Sequence, residues 1–255
     1  MAETNPLGIL ATIVERERLR IAEKTFHTPF RARPLRGAGP FEEALRRAPL
    51  PVIAEFKRAS PSLGAFAPDA DLALKLGAYA RGGAACFSVL AEPAFFGGRP
   101  EDIPAALGFG LPVLYKGFVC TRAHLEEAVA LGAQAVLLIA RVLGDELPAY
   151  ASAARALGLE PLVELHSPGE IAAAQDCQPR LLGWNVRNLA DFSEGGADAR
   201  PLREAFPEAM LIRESGLRTP ELAREALREG FDALLVGESH MRAADPEAFL
   251  RAVRP

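Results

Sequence analysis

The stretch PVIAEFKRASPSLG, residues 51–64, begins like a buried β-strand and ends in a polar turn. Its first four residues are apolar and suited to a strand, whereas the closing SPSLG segment favours a turn. Glu55 and Lys57 lie between these two parts. Because residues two apart on a strand share a face, their charged side chains should point the same way at the end of the strand.

Seven more short apolar runs follow this one, spaced by about 20 to 30 residues, the size of one βα unit. The eight runs are PVIAEFK (51–57), CFSVL (86–90), PVLYKGF (112–118), AVLLIA (135–140), EPLVEL (160–165), LLGWNV (181–186), MLIRES (210–215) and ALLVG (233–237). Continuous apolar runs are typical of parallel strands buried on both faces. With helical patterns between them, they predict an α/β protein with a closed (β/α)8 TIM barrel. The first run is not followed by GxGxxG, which argues against a dinucleotide-binding sheet.

Capping residues mark the ends of the helices between the runs. The sequence SPGE at 167–170 predicts a capping box with proline in the first turn. Thr219-Pro220 and Asp245-Pro246 each pair an N-cap residue with proline at the next position. The segments HLEEAVALG and ELAREALREG predict helices that end at a glycine.

About 50 residues precede the first strand, and we expect them to form a helical extension (1–50) of a single barrel domain (1–255). LGILATIVERERLRIAEK (7–24) predicts an amphipathic helix, and FEEALRRA (41–48) a second, shorter one. The basic, Pro-rich segment HTPFRARPLRGAGP (27–40) is interpreted as a solvated loop between them. Such an extension is expected to plug the bottom of the barrel or to cover one end.

Charge and hydropathy exclude several classes of partner. A formal net charge of −4 gives no broad attraction for nucleic acid or an anionic membrane surface. No apolar run approaches the roughly 20 residues that span a bilayer, and MAETNPLGIL lacks the features of a signal peptide. We therefore expect a cytoplasmic protein that binds neither nucleic acid nor membranes. We expect it to be a monomer, with a weak dimer as the alternative.

Cysteine and metal chemistry are not expected. Cys86, Cys120 and Cys177 are isolated in the sequence, which argues against a disulfide framework or a zinc site. Cys120 follows an apolar strand and is interpreted as a small residue at the edge of the core rather than a nucleophile. No cluster of His, Cys and Asp has the spacing of a metal site, so we predict no metal.

Polar side chains follow the predicted strands at their C-terminal ends, where barrels of this type carry their active sites. These residues are Glu55, Lys57, Lys116, Glu164, Asn185, Arg187, Glu214 and Ser215. Carboxylates and ammonium groups that share a water-poor cavity shift each other's pKa values, which creates acid and base roles near neutral pH. A structural ion pair is the alternative reading of Glu55 and Lys57. His166 lies beyond its strand and is expected to face outward.

Lysine is rare, and the four lysines are Lys24, Lys57, Lys75 and Lys116. Two of them, Lys57 and Lys116, lie just inside strand ends. A lysine whose pKa is depressed can give up its proton near neutral pH, whereas arginine cannot. The choice of lysine at these positions therefore indicates proton transfer.

The last two units carry a second signal. ESGL (214–217) and VGES (236–239) each place glycine where a strand becomes a loop before a helix. Glycine lets the backbone approach an anion closely, and its N–H groups can donate to phosphate oxygens. These two loops form the usual phosphate site of such barrels, and Arg187 and Ser60 would add a charge and a hydroxyl.

Together these motifs resemble the indole-3-glycerol phosphate synthase family, from the FEEAL segment to the C-terminus and also over the N-terminal helix. The motifs that carry the resemblance are AEFKRASPSLG, SVLAEPAFFGG, VLYKGFV, AVLLIARVL, LVELH, GWNVRNL, ESGLRTP and LLVGESHMRAADP. E-x-K-R-x-S-P-S is the most specific of them. The phosphate loops are shared with many barrels.

The resemblance implies conversion of 1-(2-carboxyphenylamino)-1-deoxyribulose 5-phosphate into indole-3-glycerol phosphate, CO₂ and water, without a cofactor. It implies that Lys116 is the general acid toward the ribulose carbonyl and that Glu164 is the general base in the dehydration. Lys57 would hold the substrate carboxylate and is a second candidate acid. Glu55 would orient this lysine, and Asn185 would bind substrate hydroxyls. The substrate-binding residues implied by position are Ser60, Phe96, Phe118, Arg187, Glu214, Ser215, Gly216, Gly237 and Glu238. Of these, Phe96 and Phe118 would flank the aromatic ring, and Glu238 would offer its backbone N–H to phosphate.

Two positions depart from the family pattern. Gly117 stands where the family usually has an aspartate, which removes one ion-pair option near Lys116. Trp184 stands where a smaller aliphatic residue is common, and it is expected to fill the barrel interior differently. Neither position carries a group that we assign to the chemistry.

Other readings of the sequence remain. Phosphoribosylanthranilate isomerase and the tryptophan synthase α subunit are also phosphate-binding barrels, but they lack the extension and the lysine pair. A Schiff-base aldolase that uses Lys116 is a second enzyme class. A barrel that only binds a phosphorylated metabolite is the non-enzymatic alternative.

Overall fold

The computed structural model describes residues 8–26, 34–187 and 198–254. Within them, eight parallel strands close into a barrel in which neighbours in sequence pair and the first strand pairs with the last. The strands are β1 Val52–Phe56, β2 Cys86–Leu90, β3 Val113–Lys116, β4 Ala135–Ile139, β5 Glu160–Leu165, β6 Leu181–Asn185, β7 Met210–Glu214 and β8 Ala233–Val236. The predicted (β/α)8 barrel is confirmed. Parts of the predicted segments 27–40 and GWNVRNL lie outside the described residues.

In the described part of the chain, two helices precede the first strand and the others follow the strands around the outside of the barrel. They are α1 Gly8–Ala22, α2 Pro40–Arg47, α3 Leu72–Gly82, α4 Pro93–Phe96, α5 Asp102–Leu107, α6 Arg122–Ala130, α7 Ala140–Leu143, α8 Leu147–Ala156, α9 Ile171–Gln175, α10 Arg200–Ala205, α11 Pro220–Arg228, α12 Glu238–Arg242 and α13 Pro246–Val253. In the part of the chain described here, no helix has the length and apolar character needed to cross a bilayer.

Two of the predicted N-caps form as expected, and the capping box does not. Thr219 accepts the backbone N–H of Leu222, and Asp245 accepts that of Ala248. Ser167 makes no capping hydrogen bond with its side chain. Instead, the Glu170 carboxylate accepts the backbone N–H of His166 at 2.7 Å, because a single 3₁₀ turn (168–170) precedes α9 and shifts the contact by one residue.

Alternate strand residues enter two different apolar layers. Ile53, Leu114 and Leu162 belong to the cluster inside the barrel, whereas their neighbours in sequence belong to the layer between strands and helices. The expectation that Trp184 fills the interior is wrong, because it packs against the outer layer. The alternation of side chains explains this, since Gly183 is the residue of that pair that faces inward.

The two helices of the extension contact different parts of the barrel. Phe41 of α2 is fully buried in the interior cluster, and the side chain of Glu160 at the start of β5 accepts backbone N–H groups at the beginning of α2. This carboxylate takes the place of an N-cap side chain, which Gly39 cannot provide. Helix α1 contacts α6 and the loop between β3 and α6, where Cys120 Sγ approaches the Val14 carbonyl oxygen at 3.7 Å. All three cysteines are buried and unpaired.

Candidate active site

One cavity of about 460 Å³ opens at the C-terminal ends of the strands. Every site residue predicted from the sequence lines it: Glu55, Lys57, Ser60, Phe96, Lys116, Phe118, Glu164, Asn185, Arg187, Glu214, Ser215, Gly216, Gly237 and Glu238. The closed barrel therefore brings these residues together from segments that are far apart in sequence. Their individual roles stay predictions.

The charged residues reach the cavity because they continue the inward-facing rows of the strands. Each row is apolar at the bottom of the barrel and becomes charged two residues later. The pairs are Ile53 and Glu55 on β1, Leu114 and Lys116 on β3, Leu162 and Glu164 on β5, and Ile212 and Glu214 on β7. These apolar residues are buried in the interior cluster, so the charged groups lie at the end of an apolar core.

Lys116 is the centre of the charged cluster. Its Nζ atom lies 2.7 Å from Glu214 Oε2 and 3.1 Å from Glu164 Oε2. Burial by itself would lower the pKa of Lys116, but the nearby carboxylates, Glu164 first, outweigh burial and raise it. The pKa of Lys116 is therefore raised rather than depressed, and Lys116 is an ammonium at neutral pH.

The two carboxyl groups at Lys116 have opposite protonation preferences. Burial would raise the pKa of Glu164, yet Lys116, the strongest opposing influence, lowers it to about 2. Burial and the charge of Glu164 raise the pKa of Glu214 well above its usual value. Two adjacent carboxylates cannot both ionise cheaply in a buried site, so Glu214 keeps a proton and Glu164 is the anion.

Glu55 and Lys57 form the second ion pair of the cavity, with Nζ 2.9 Å from Oε1. Burial opposes ionisation of Glu55, but Lys57 and then Lys116 lower the pKa of its carboxyl group. The Ser88 hydroxyl donates to the other carboxylate oxygen at 3.4 Å. A side chain at Gly237 would collide with this carboxylate, so glycine is required there for packing as well as for the loop.

His166 does not face outward, contrary to the prediction. Its side chain is 1% exposed, and Nε2 lies 3.2 Å from Glu164 Oε1. The signal was present in the sequence: His166 is two residues beyond Glu164 and so continues the same inward-facing row. Gly183 was also missed, and a β-carbon there would collide with Glu214 Oε1.

The predicted phosphate loops are tied to each other and to β6. Ser215 has a positive φ of 63°, and its hydroxyl donates to Asn185 Oδ1 at 2.8 Å. The same amide oxygen accepts the backbone N–H of Arg187 at 3.1 Å. Ser239 donates to the Leu217 carbonyl oxygen at 2.7 Å and so joins the two loops.

Arginine side chains collect beside these loops. Glu238 lies 3.5 Å from Arg187 and 3.6 Å from Arg242, so its side-chain charge is offset by two guanidinium groups. Arg218 also lines the cavity. Arg218 and Arg242 were not identified from the sequence, because both lie past their strand ends, where arginine is common on any solvated surface. This end of the cavity is suited to an anion.

The opposite wall of the cavity is aromatic. The rings of Phe96 and Phe118 lie 5.6 Å apart between centroids, at an interplanar angle of 36°. Phe96 ends the short helix α4, whose N-terminus is held by three backbone N–H groups that donate to the buried carboxylate of Glu92.

Arg58, which we did not identify from the sequence, connects the loop after β1 to the start of α5 through an ion pair with Asp102 at 2.5 Å.

Gly117, the departure from the family pattern, has a local explanation. A β-carbon at this position would lie 2.6 Å from the ring of Tyr115. That ring is fixed, because the Tyr115 hydroxyl donates to Glu127 at 2.6 Å, and Glu127 also pairs with Arg20 of α1 at 2.7 Å. Lys116 keeps two acidic partners without the missing aspartate.

Comparisons with known proteins point to one family. The family model for indole-3-glycerol phosphate synthase matches residues 10–253. An indole-3-glycerol phosphate synthase of Lachnoclostridium phytofermentans is 38% identical over 84% of this chain and 80% of its own length. One of Exiguobacterium sibiricum is 36% identical over 97% of both chains. Among solved structures, thiamine phosphate pyrophosphorylase from Pyrococcus furiosus matches 82% of this chain and 96% of its own, with a TM-score of 0.59 and 17% identity, a likeness of fold alone.

Proposed function

The chain belongs to the indole-3-glycerol phosphate synthase family, and from this premise we propose that its cavity carries out the ring closure of that family. The substrate is 1-(2-carboxyphenylamino)-1-deoxyribulose 5-phosphate, and the products are indole-3-glycerol phosphate, CO₂ and water. The proposal assigns the protein to the carboxy-lyases of tryptophan biosynthesis. No cofactor takes part in the proposed reaction.

The observation that carries the proposal is the position of Lys116 within hydrogen-bond distance of two buried carboxyl groups, Glu164 and Glu214. Ring closure places negative charge on the ribulose carbonyl oxygen as the aryl carbon attacks it. A fixed ammonium in a dry cavity stabilises this charge without reorganisation and can donate a proton to it. Lys116 is therefore proposed as the general acid.

Glu164 is proposed as the general base of the dehydration. Its pKa of about 2 keeps it ionised in the free protein, where it pairs with Lys116. When the ammonium turns to the substrate oxygen, the carboxylate loses its main partner and becomes more basic. Proton donation by Lys116 thus makes Glu164 more basic before the dehydration begins. Glu214, which keeps its own proton, is proposed to hold both groups in place.

The remaining residues are proposed to position the substrate. Lys57 would bind the carboxylate that is lost as CO₂, and the aromatic wall would hold the ring against the carbonyl. The glycine loops at Gly216 and Gly237, with nearby arginines, would bind the phosphate.

The competing functions find less support. A Schiff-base aldolase needs a neutral lysine as its nucleophile, and the raised pKa of Lys116 opposes that role. Among the described residues, no group of three His, Cys, Asp or Glu side chains is arranged to hold a metal ion. The expectation of a reaction without metal stays a prediction.

The direct test is incubation of the purified protein with the carboxyphenylamino-ribulose phosphate. We expect the absorbance and fluorescence of an indole to appear, with release of one CO₂ per product. Borohydride added during turnover should trap no adduct on Lys116. Substrate that remains unchanged, or a borohydride-stable adduct at this lysine, would overturn the proposal.

The protein is further proposed to act as a monomer in the cytoplasm. Among the described residues, the large exposed apolar side chains are Leu19, Leu63, Leu74 and Leu222, which come from four separate segments. Single exposed leucines do not form the contiguous patch that a stable dimer buries. Light scattering after size-exclusion chromatography should give a mass close to the chain mass of 27.3 kDa.

A further inference from the structure

His166 is a buried imidazole that the proposed reaction does not yet use. It follows β5 directly, and its backbone N–H is held by the Glu170 carboxylate at 2.7 Å. Its side chain is 1% exposed and lies against Glu164, which lines the cavity. Backbone and burial therefore fix the ring next to the residue proposed as the base.

The two oxygens of Glu164 face different groups. Oε2 receives a hydrogen bond from Lys116 at 3.1 Å, and Oε1 lies 3.2 Å from His166 Nε2. Neither ring nitrogen of His166 makes a hydrogen bond, although both are buried. A buried polar group without a partner is costly, so the ring gains most from a small rotation that aligns Nε2–H with Oε1. Contacts of this kind are often poorly aligned before substrate binds and tighten afterwards.

Burial favours the neutral ring of His166, and the charged groups around it act in both directions. Burial lowers the pKa of His166, and Arg141 and Lys116 act in the same direction, while Glu164 and Glu170 oppose them. A neutral imidazole carries one N–H and can donate it to a carboxylate. The alternative tautomer would turn a lone pair toward Oε1 and repel it.

We propose that His166 is a positioning residue that donates from Nε2 to Oε1 of Glu164 and holds this carboxylate in place when Lys116 turns to the substrate. The inference rests on the proposed role of Glu164 as the base. While Lys116 binds Oε2, the imidazole is a second anchor. Once the Lys116 ammonium has moved to the substrate, the Nε2–H group of His166 still donates to the Glu164 carboxylate. This hydrogen bond keeps the carboxylate from moving with the lysine.

The test compares His166→Asn with His166→Leu, two side chains of similar size of which only asparagine can donate a hydrogen bond. We expect His166→Leu to lower kcat by about 10- to 100-fold, the rate loss that corresponds to the free energy of a hydrogen bond to a charged group. KM should change little. His166→Asn should recover most of this loss. A merely structural histidine would give equal losses in both variants, and this would overturn the inference. His124→Leu, which removes a buried imidazole from α6, is the matched control and should lower thermal stability without this effect on kcat.

Combination with Glu164→Gln separates the two proposals. If His166 acts through Glu164, His166→Leu should have little further effect in the Glu164→Gln background, whereas independent effects would multiply. Wild-type turnover in Glu164→Gln would overturn the role of the base itself. Turnover lost in Glu164→Gln but kept in His166→Leu would overturn only the inference.

A measurement on the unmodified protein covers the case in which His166→Leu does not fold. Nitrogen-15 NMR of the histidine rings, with indole-3-glycerol phosphate bound, should show the neutral His166 tautomer protonated at Nε2. A ring protonated only at Nδ1, or charged at neutral pH, would contradict the inference.

Discussion

The ammonium of Lys116 lies 2.7 Å from Oε2 of Glu214, a residue 98 positions away in the sequence and on the strand opposite to it in the barrel. An eight-stranded barrel is just wide enough for side chains to fill, so inward-facing groups on opposite strands can touch. This contact, with the one to Glu164, sets the protonation of the whole cluster. It also makes the cluster sensitive to changes in charge at any of its members.

Removal of the Lys116 charge should abolish most of the activity. We expect Lys116→Met, which keeps the volume of the side chain, to lower kcat by about 10²- to 10⁴-fold, because the carbonyl oxygen loses its proton donor. Indole formation measures the rate, and thermal unfolding by circular dichroism verifies the fold. Lys24→Met, at a half-exposed lysine outside the cavity, is the control and should keep its turnover. Unchanged activity in Lys116→Met would remove the lysine from the chemistry.

The two carboxyl groups next to Lys116 should respond differently to the same substitution. Glutamine is a neutral analogue of a protonated glutamate, so Glu214→Gln should reduce kcat less than about tenfold. Glu164→Gln removes the anion and the base, and should reduce kcat by about 10²-fold or more. Steady-state kinetics at neutral pH compares them directly. Equal losses in both variants would show that Glu214 is also ionised.

Gly183 should be intolerant of any side chain. A methyl group there would collide with Glu214 Oε1, which would have to move away from Lys116. We expect Gly183→Ala to lower kcat at least about tenfold and to destabilise the fold by about 1–3 kcal/mol, as overpacked cores do. Gly169→Ala is a matched control, because the nearest atom to its new carbon would lie 3.9 Å away. Full activity in Gly183→Ala would mean that the position of Glu214 is not critical.

Acid should destabilise the protein through Glu127, which connects α6 to α1. Burial would raise the pKa of Glu127, but hydrogen bonds from Arg20 and Tyr115 lower it to about 2. A carboxyl whose pKa is lower in the folded state stabilises the protein above its unfolded pKa of about 4.3 and loses this contribution as pH falls toward 2. Glu127→Gln should therefore be less stable at pH 7, by on the order of 3 kcal/mol, and should lose less stability between pH 5 and pH 3.

Denaturant unfolding at several pH values provides the measurement. Glu43→Gln alters an exposed helix pair with Arg47 and should follow the wild-type curve at every pH. Parallel pH curves for Glu127→Gln and the wild type would contradict the assignment.

Removal of metal ions should leave the reaction unchanged. Lys116 and Lys57 supply fixed positive charge where a metal-dependent enzyme would use a Lewis acid. We expect the same kcat before and after dialysis against a chelator, measured by indole formation. A loss of activity that is restored by a divalent cation would show that the reaction needs a metal.

Periodicity made the barrel predictable. Eight apolar runs with helices between them leave few topologies, and the observed strands differ from the predicted ones by at most two residues at either end. The predicted strands also place Glu55, Lys116 and Glu164 at the barrel mouth, because these residues lie at the C-terminal ends of their strands. Local capping was less predictable. Ser167 was expected to cap a helix, but a 3₁₀ turn intervenes, and the Glu170 carboxylate accepts the backbone N–H of His166 instead of that of Ser167.

The sequence by itself determined which residues face the cavity, since side-chain alternation along a strand depends only on local backbone geometry. The contact of His166 with Glu164, which we did not predict from the sequence, follows from the same alternation. Only the tertiary structure decided the charge states, because a pKa depends on burial and on neighbours across the barrel. Strands distant in sequence bring Glu164 and Glu214 to 3.1 and 2.7 Å from the Lys116 ammonium, which raises the pKa of Lys116. Burial and the charge of Glu164 raise the pKa of Glu214. No local pattern contains those distances.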